Sequence, residues 1–341
     1  MHLRSSLSLL GALCLSSLSA GCGEGTEPAP VNAEAPATEL SSQQSAVTTT
    51  GFTSDFRTWL QAKGYEPTYN LIRADLSGGS YGGKASSTDT VVNQPVIFIH
   101  GNSDKAIGTG ATGQTGWNAS IDYFLSHGYK TSELYATTWG PADATLSAYQ
   151  YHSKVNVMKV RKFIEAVKAY TGATKVDIIT HSMGVTLARK AILGGYATDA
   201  ADGGQYYIGP SLTSSVDTFV GIAGANRGLT SCYQTGGTTP TCAATNGLYP
   251  GYWNGFGVSG LSSYLQNLQS SSGYEGAYRY SIWSSVDEII GYGDVVWYDY
   301  TSRIPGQTGE KTYSAVPYGH FGLKDLTQAV QYSMVKNHTI P

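Results

Sequence analysis

At 341 residues the chain is long enough for one large α/β domain or two smaller ones. Charged residues make up only 13%, and a formal charge of -3 leaves no basic stripe to neutralise phosphates, which excludes nucleic acid as a partner. No apolar run reaches the length of a transmembrane helix, and Gly 42 with Tyr 25 points to a surface of hydroxyls and aromatics rather than salt bridges.

The N-terminus reads as an export signal over residues 1–22: Arg4 supplies the positive region and Leu7 to Leu18 the apolar one. Two cleavage patterns compete there. Leu18-Ser19-Ala20 resembles a signal-peptidase site, whereas Ser19-Ala20-Gly21-Cys22 resembles a bacterial lipobox that would lipidate Cys22 and anchor the chain to an outer membrane. Residues 23–50 are Ala, Pro, Glu, Ser and Thr with almost no large apolar group, a composition expected of a disordered tether. The folded unit is expected over 51–341.

Within it, the unbroken apolar run Val96-Ile97-Phe98-Ile99 predicts a strand buried on both faces of a parallel sheet, ending in His100-Gly101-Asn102. A helix is expected from Ser120 to Leu125 and a strand from Glu133 to Trp139. Val155, Met158, Phe163 and Val167 mark a helix to Tyr170 that Gly172 closes. A strand over 175–179 and a helix from Val185 follow. Further strands are expected at 217–222 and 280–283, a last strand from Thr312 to Val316, and a final amphipathic helix from Lys324 to Met334. Strands alternating with helices predict a doubly wound, mostly parallel α/β sheet in a single domain.

Thr180-His181-Ser182-Met183-Gly184 sits between one of these strands and its helix. A serine on such a sharp turn is the nucleophile elbow of the α/β-hydrolase fold. Gly184 supplies the small residue needed two positions after the serine; Thr180, two before it, departs from the strict G-x-S-x-G pattern. A serine hydroxyl is a poor nucleophile at neutral pH and needs a general base, which in turn needs a carboxylate. In this fold the chain order is serine, acid, histidine. Only His320 and His338 follow Ser182. His338 is expected to be a frayed surface residue, and His320 to act from a loop just beyond the last strand. Asp287, at the end of a strand, is the expected acid, with Asp294 second; Glu288 and Asp299 read as solvated loop charges and Asp177 as structural. The oxyanion is expected to be held by the backbone N–H of Met183 and that of Asn102, with Gly101 in reserve. His100 and His181 flank strand ends and read as packing or hydrogen-bonding residues. Cys232 and Cys242, ten apart in a Gly/Thr/Pro-rich loop of an exported chain, are expected to form a disulfide. No cofactor motif and no marked metal site are present, and the protein is expected to act as a monomer.

Together, Val96–Gly101, His181-Ser182-Met183-Gly184, Ile222-Ala223-Gly224-Ala225-Asn226-Arg227, Ser284-Ser285-Val286-Asp287 and Gly319-His320-Phe321-Gly322 resemble the bacterial class 2 lipases. The resemblance implies a catalytic set of Ser182, Asp287 and His320. A second resemblance is to extracellular polyhydroxybutyrate depolymerases acting on native polymer. It runs over roughly 95–245, through Ile99–Asn102, Tyr149-Gln150-Tyr151-His152-Ser153, Val167–Gly172, Arg227-Gly228-Leu229, Ser231-Cys232-Tyr233 and Cys242, and fades in the Tyr-rich segment 246–278.

These readings lead to an exported serine hydrolase of hydrophobic esters, a triacylglycerol lipase or esterase, with polyester depolymerase as the alternative. Tyr249, Tyr252, Trp253, Phe256, Tyr264, Tyr274 and Tyr278, with Trp117, suit either an apolar ester or a polymer chain, although core and loop packing is expected to absorb at least half of them. Amidase chemistry would use the same residues. A non-catalytic surface lipoprotein on an inactive scaffold is the remote third reading.

Overall fold

Eight strands form one sheet in the computed structural model, which describes residues 51–341 apart from Thr112 and Tyr292. The expected leader over 1–22, with Cys22, and the expected tether over 23–50 lie outside the described residues. In chain order the strands are β1 (Gly51–Phe52), β2 (Ser80–Gly82), β3 (Val96–Ile99), β4 (Leu134–Thr137), β5 (Val176–His181), β6 (Val216–Ile222), β7 (Tyr278–Ser284) and β8 (Gly309–Tyr313). They lie side by side as β1-β2-β4-β3-β5-β6-β7-β8, and within this sheet only β2 with β4 is antiparallel. The central strands β3 and β5 are buried along their whole length, which is why they read as near-continuous apolar runs rather than alternating ones.

Helices cover both faces of the sheet. The α1 (Ser54–Ala62), α3 (Lys154–Thr171) and α4 (Met183–Leu193) helices pack together with α6 (Ser263–Gln269), while α2 (Asn118–Ser126) packs with α7 (His320–Asp325) and α8 (Gln328–Asn337). Ser153 caps α3 by accepting from the Asn156 N–H, and Gly172 ends it in the left-handed conformation, as the sequence predicts. Helix α5 (Thr230–Thr235) carries Cys232, bonded to Cys242 in the expected disulfide. Short antiparallel hairpins lie outside the sheet at 195–209 and 252–259.

Two elements differ from expectation by more than two residues. The last strand ends at Tyr313 rather than running to Val316: Val316 is 83% exposed and precedes Pro317, which has no N–H to continue a ladder. The single helix expected over 324–334 is two, because Thr327 Oγ1 donates to the Leu323 carbonyl at 2.5 Å and caps off α7 before α8 begins.

Candidate active site

The carboxyl ends of β3, β5, β7 and β8 meet at one edge of the sheet, the place where open α/β sheets build their sites. Thr180 is level with Ile99 on one side and Gly221 on the other, so Ser182 emerges just past the last paired residues. Its backbone is at φ 54, ψ -128, a conformation that costs a non-glycine residue free energy and persists only when its surroundings hold it. The Ser182 N–H donates to the Ile222 carbonyl at 2.8 Å, and α4 starts at the next residue.

Glycine lets the elbow close. A β-carbon at Gly184 would run into the His100 carbonyl oxygen and lie 2.7 Å from that of Ile99; one at Gly101 would lie 2.9 Å from Ser182 Cβ. The end of β3 is therefore pressed against the serine from both sides of the turn. Thr180 is tolerated in the departed position because its side chain stays in the sheet, where Oγ1 donates to the Val220 carbonyl at 2.9 Å.

His320 and Asp287 are both buried, and His320 Nδ1 lies 2.9 Å from Asp287 Oδ2. The other carboxylate oxygen accepts the Ile289 and Ile290 N–H groups, each at 2.9 Å. Burial pushes the Asp287 carboxyl up, but the hydrogen bond and charge of His320 and the two backbone donors outweigh it and hold the group below the ordinary carboxylate range. His320 opens α7 instead of lying in a loop, a correction to the sequence reading. Ser182 and His320 are joined through their neighbours: His181 Nε2 lies 3.0 Å from the His320 carbonyl oxygen. Among the described residues, the Ser182 side chain makes no hydrogen bond of its own.

Met183 is the first residue of α4, where a backbone N–H has no partner within the helix. Asn102 follows Gly101 in the same turn, and its side chain is tied down by Nδ2 donating to the Ser147 carbonyl at 2.9 Å. Thr241 Oγ1, beside Cys242, lies 2.6 Å from that same carbonyl oxygen and 2.5 Å from that of Gln150, so its one hydroxyl proton serves either of them. The disulfide loop thus buttresses the segment against which Asn102 rests. An open cleft of about 410 Å³ runs alongside the acid, between α5 (Thr230, Gln234) and the loop from Val286 to Gly293.

The remaining candidates separate by their partners. Asp294 is buried, accepts from Ser302 Oγ at 2.6 Å and from the Ser302 N–H at 3.2 Å, and does not touch His320. Burial, with repulsion from Asp287, raises its pKa to about 7 against the Ser302 hydrogen bonds. Asp177 is buried mid-strand and accepts from the Thr218 N–H at 2.9 Å, the structural role expected of it. His100 is also structural: it stacks on Trp139, accepts from the Trp139 N–H at Nε2, and is pushed by burial down to about 4. One expectation needs correcting, and two loop carboxylates prove to have partners. His338 is not frayed, because it caps α8, stacks on Tyr278 and pairs with Asp217 at 3.1 Å. Asp299 pairs with Arg227 at 2.6 Å. Glu288 is exposed, yet its Oε2 accepts the His320 N–H at 3.0 Å; adjacency to Asp287 is the one signal in the sequence that could mark it.

Of the aromatics proposed for substrate contact, Trp117, Tyr264 and Tyr274 are buried, and Tyr278 lies under His338. Tyr252, Trp253 and Phe256 are exposed at 51%, 40% and 99%.

A strained serine at a strand-to-helix turn, beside a buried histidine–aspartate pair on a mostly parallel sheet, defines an α/β-hydrolase. The family model for lipase (class 2) matches residues 93–333, more than half of the chain, and the chain belongs to that family of ester hydrolases. Among solved structures it is similar to Aspergillus fumigatus lipase B, at 16% identity and TM-score 0.50, covering 77% of this chain and 57% of that one. It is also similar to Bacillus licheniformis lipase BlEst2 in its propeptide form, at 10% identity and TM-score 0.46, over 75% of this chain and 52% of the other. A third is MGS-MChE2, an α/β hydrolase from a lagoon-sediment metagenome, at 14% identity and TM-score 0.40, over 73% and 94%. The chain spans little more than half the length of the first two. At 16% identity the likeness to the Aspergillus lipase is one of fold.

Proposed function

We propose that the protein is an exported serine hydrolase that cleaves carboxylic esters of hydrophobic substrates, with triacylglycerols as the leading class. Ser182 Oγ attacks the acyl carbon while His320 Nε2 takes its proton, the Ser182–His320 contact closing when substrate binds. Asp287 holds the Nδ1–H side of the ring and stabilises the imidazolium. The backbone N–H groups of Met183 and Asn102 receive the oxyanion, each contributing roughly 3 kcal/mol of transition-state stabilisation. Collapse breaks the C–O bond to the alcohol, which leaves with the proton from His320. Water, deprotonated by the same imidazole, then releases the acid and restores Ser182.

The observation that carries this reading is the buried 2.9 Å pair of His320 and Asp287 at the edge of the sheet where Ser182 is held at positive φ. Membership of the lipase family supports the ester class, and the disulfide is consistent with export to an oxidising compartment. A fluorophosphonate probe is expected to label the wild type at Ser182 and not Ser182→Ala; an unlabelled folded wild type would sink the proposal.

A second reading, polyester depolymerase, is favoured by the exposed aromatic hairpin at 252–259. Clearing of amorphous polyhydroxybutyrate granules, measured beside hydrolysis of tributyrin and longer triglycerides, separates the two.

A further inference from the structure

We propose that Glu288 and His181 are positioning residues for His320, gripping its main chain on both sides while Asp287 holds its ring; this rests on the triad reading above. Glu288 Oε2 accepts the His320 N–H at 3.0 Å. On the other side, His181 Nε2 lies 3.0 Å from the His320 carbonyl oxygen. A carbonyl oxygen only accepts, so Nε2 of His181 carries the proton and donates it. Burial keeps His181 neutral, its pKa well below the ordinary imidazole value, and Nδ1 has no hydrogen-bond partner among the described residues. The ring is thereby fixed in one tautomer by a single bond, the one to His320.

The grip is needed because α7 cannot orient its own first residue. It is six residues long, its first N–H has no partner within the helix, and the chain enters it through Pro317-Tyr318-Gly319. Orientation must come from outside, and it comes from the residues adjoining the other two members of the triad. Glu288 follows Asp287, so one segment places both the acid and the main-chain anchor of the base. His181 precedes Ser182, so the strand end that presents the nucleophile also holds the base. A shift of either segment carries His320 with it, which keeps the three groups in mutual register. Misplacing a catalytic group by about 1 Å is enough to cost up to 100-fold in rate.

The test uses a soluble butyrate ester and the full chain. Because Glu288 is exposed, Glu288→Ala is expected to fold, to lose roughly tenfold in kcat and to keep KM within about twofold, the pattern of a lost transition-state alignment. Glu288→Gln, which still offers an amide oxygen, is expected to recover most of that loss, and fluorophosphonate labelling of Ser182 is expected to slow in parallel with kcat. The downfield proton resonance of the His320–Asp287 hydrogen bond should broaden in Glu288→Ala and persist in Glu288→Gln. In the same way His181→Gln, able to donate to the His320 carbonyl, should outperform His181→Leu in kcat. A Glu288→Ala enzyme with wild-type kcat, a loss confined to KM, or a Gln variant as slow as the Ala variant overturns the positioning role and leaves the triad standing. An unlabelled wild type or an active Ser182→Ala overturns the triad reading, and this proposal with it.

Discussion

Lys324 Nζ lies 2.9 Å from Asp104 Oδ2, and both side chains are buried to 1% exposure. Lys324 belongs to the helix that His320 opens, and Asp104 to the turn that begins with Gly101 and Asn102. Lys324 also donates to Thr115 Oγ1 and the Gly116 carbonyl, while Asp104 Oδ1 accepts the Gly116 N–H at 3.0 Å. The ion pair therefore fastens the helix of the proposed base to the loop of the proposed oxyanion site. Burial alone would pull the lysine down, but Asp104 and Asp325 outweigh it and raise its pKa. Removing one partner strands the other charge in the interior, so Lys324→Met is expected to lower unfolding free energy by about 3–5 kcal/mol. Lys324→Met with Asp104→Leu should recover most of it. Urea melts decide: a single variant as stable as the wild type would show the pair to be inert.

Asp287 and Asp294 can be told apart by the same substitution. Asp287→Asn leaves the shape intact but offers His320 Nδ1 an amide in place of a carboxylate, and kcat is expected to drop by roughly 10⁴. Asp294 keeps its contacts to Ser302 and none to His320, so Asp294→Asn should leave kcat nearly unchanged. Steady-state kinetics on a soluble ester checks both, and a large loss in Asp294→Asn alone would move the role of acid to that residue.

Stability should fall as pH rises from about 4 to 7, and Asp177 is one cause. Burial raises its pKa from the ordinary value to about 7. A carboxyl whose folded pKa lies above its unfolded value favours the folded state fully at low pH and loses that contribution as pH climbs from about 4 to 7. Asp177→Asn still offers an oxygen to the Thr218 N–H, now 2.9 Å from Asp177 Oδ1. The variant is expected to gain on the order of 1–3 kcal/mol over the wild type at pH 8 and little at pH 4. Thermal melts across that range would contradict this if the two proteins kept a constant gap.

The sheet is readable where strands are buried on both faces. Val96–Ile99 and the segment ahead of Ser182 have no solvent side, so their apolar runs announce them. Very short elements carry no such mark: β1 has two residues and β2 is Ser80-Tyr81-Gly82, and neither has a pattern to find. Ser182, Asp287 and His320 stand out because chain order in this fold leaves few choices. What holds them does not. Glu288 and Lys324 act through contacts 32 and 220 residues away in sequence, and a charge that will be buried looks the same in a sequence as one that will be solvated. His338 misleads for the converse reason, since nearness to the terminus says nothing of a ring stacked on Tyr278.

The hairpin at 252–259 gives the substrate question a direct test. Trp253 pairs across it with Val258, so the two side chains share a face, and Tyr298 meets Trp253 edge-on at 5.1 Å between centroids. Phe256, between the two strands, is 99% exposed and Tyr298 80%. No charged residue occurs from 250 to 262. An exposed apolar face of this kind gains free energy only against another apolar surface. Burying one such side chain contributes about 1.5–3 kcal/mol, so Trp253→Ala with Phe256→Ala is expected to weaken adsorption to emulsified triglyceride or polyester granules at least about tenfold. Hydrolysis of a soluble butyrate ester should be unaffected, since the hairpin makes no contact with Ser182, Asp287 or His320 in the hydrogen bonds and ring contacts of the site. Adsorption isotherms run beside soluble-ester kinetics separate the outcomes. Equal losses on both substrates would make the hairpin part of the fold's support, and equal retention on both would leave its aromatics without a role in meeting an insoluble substrate.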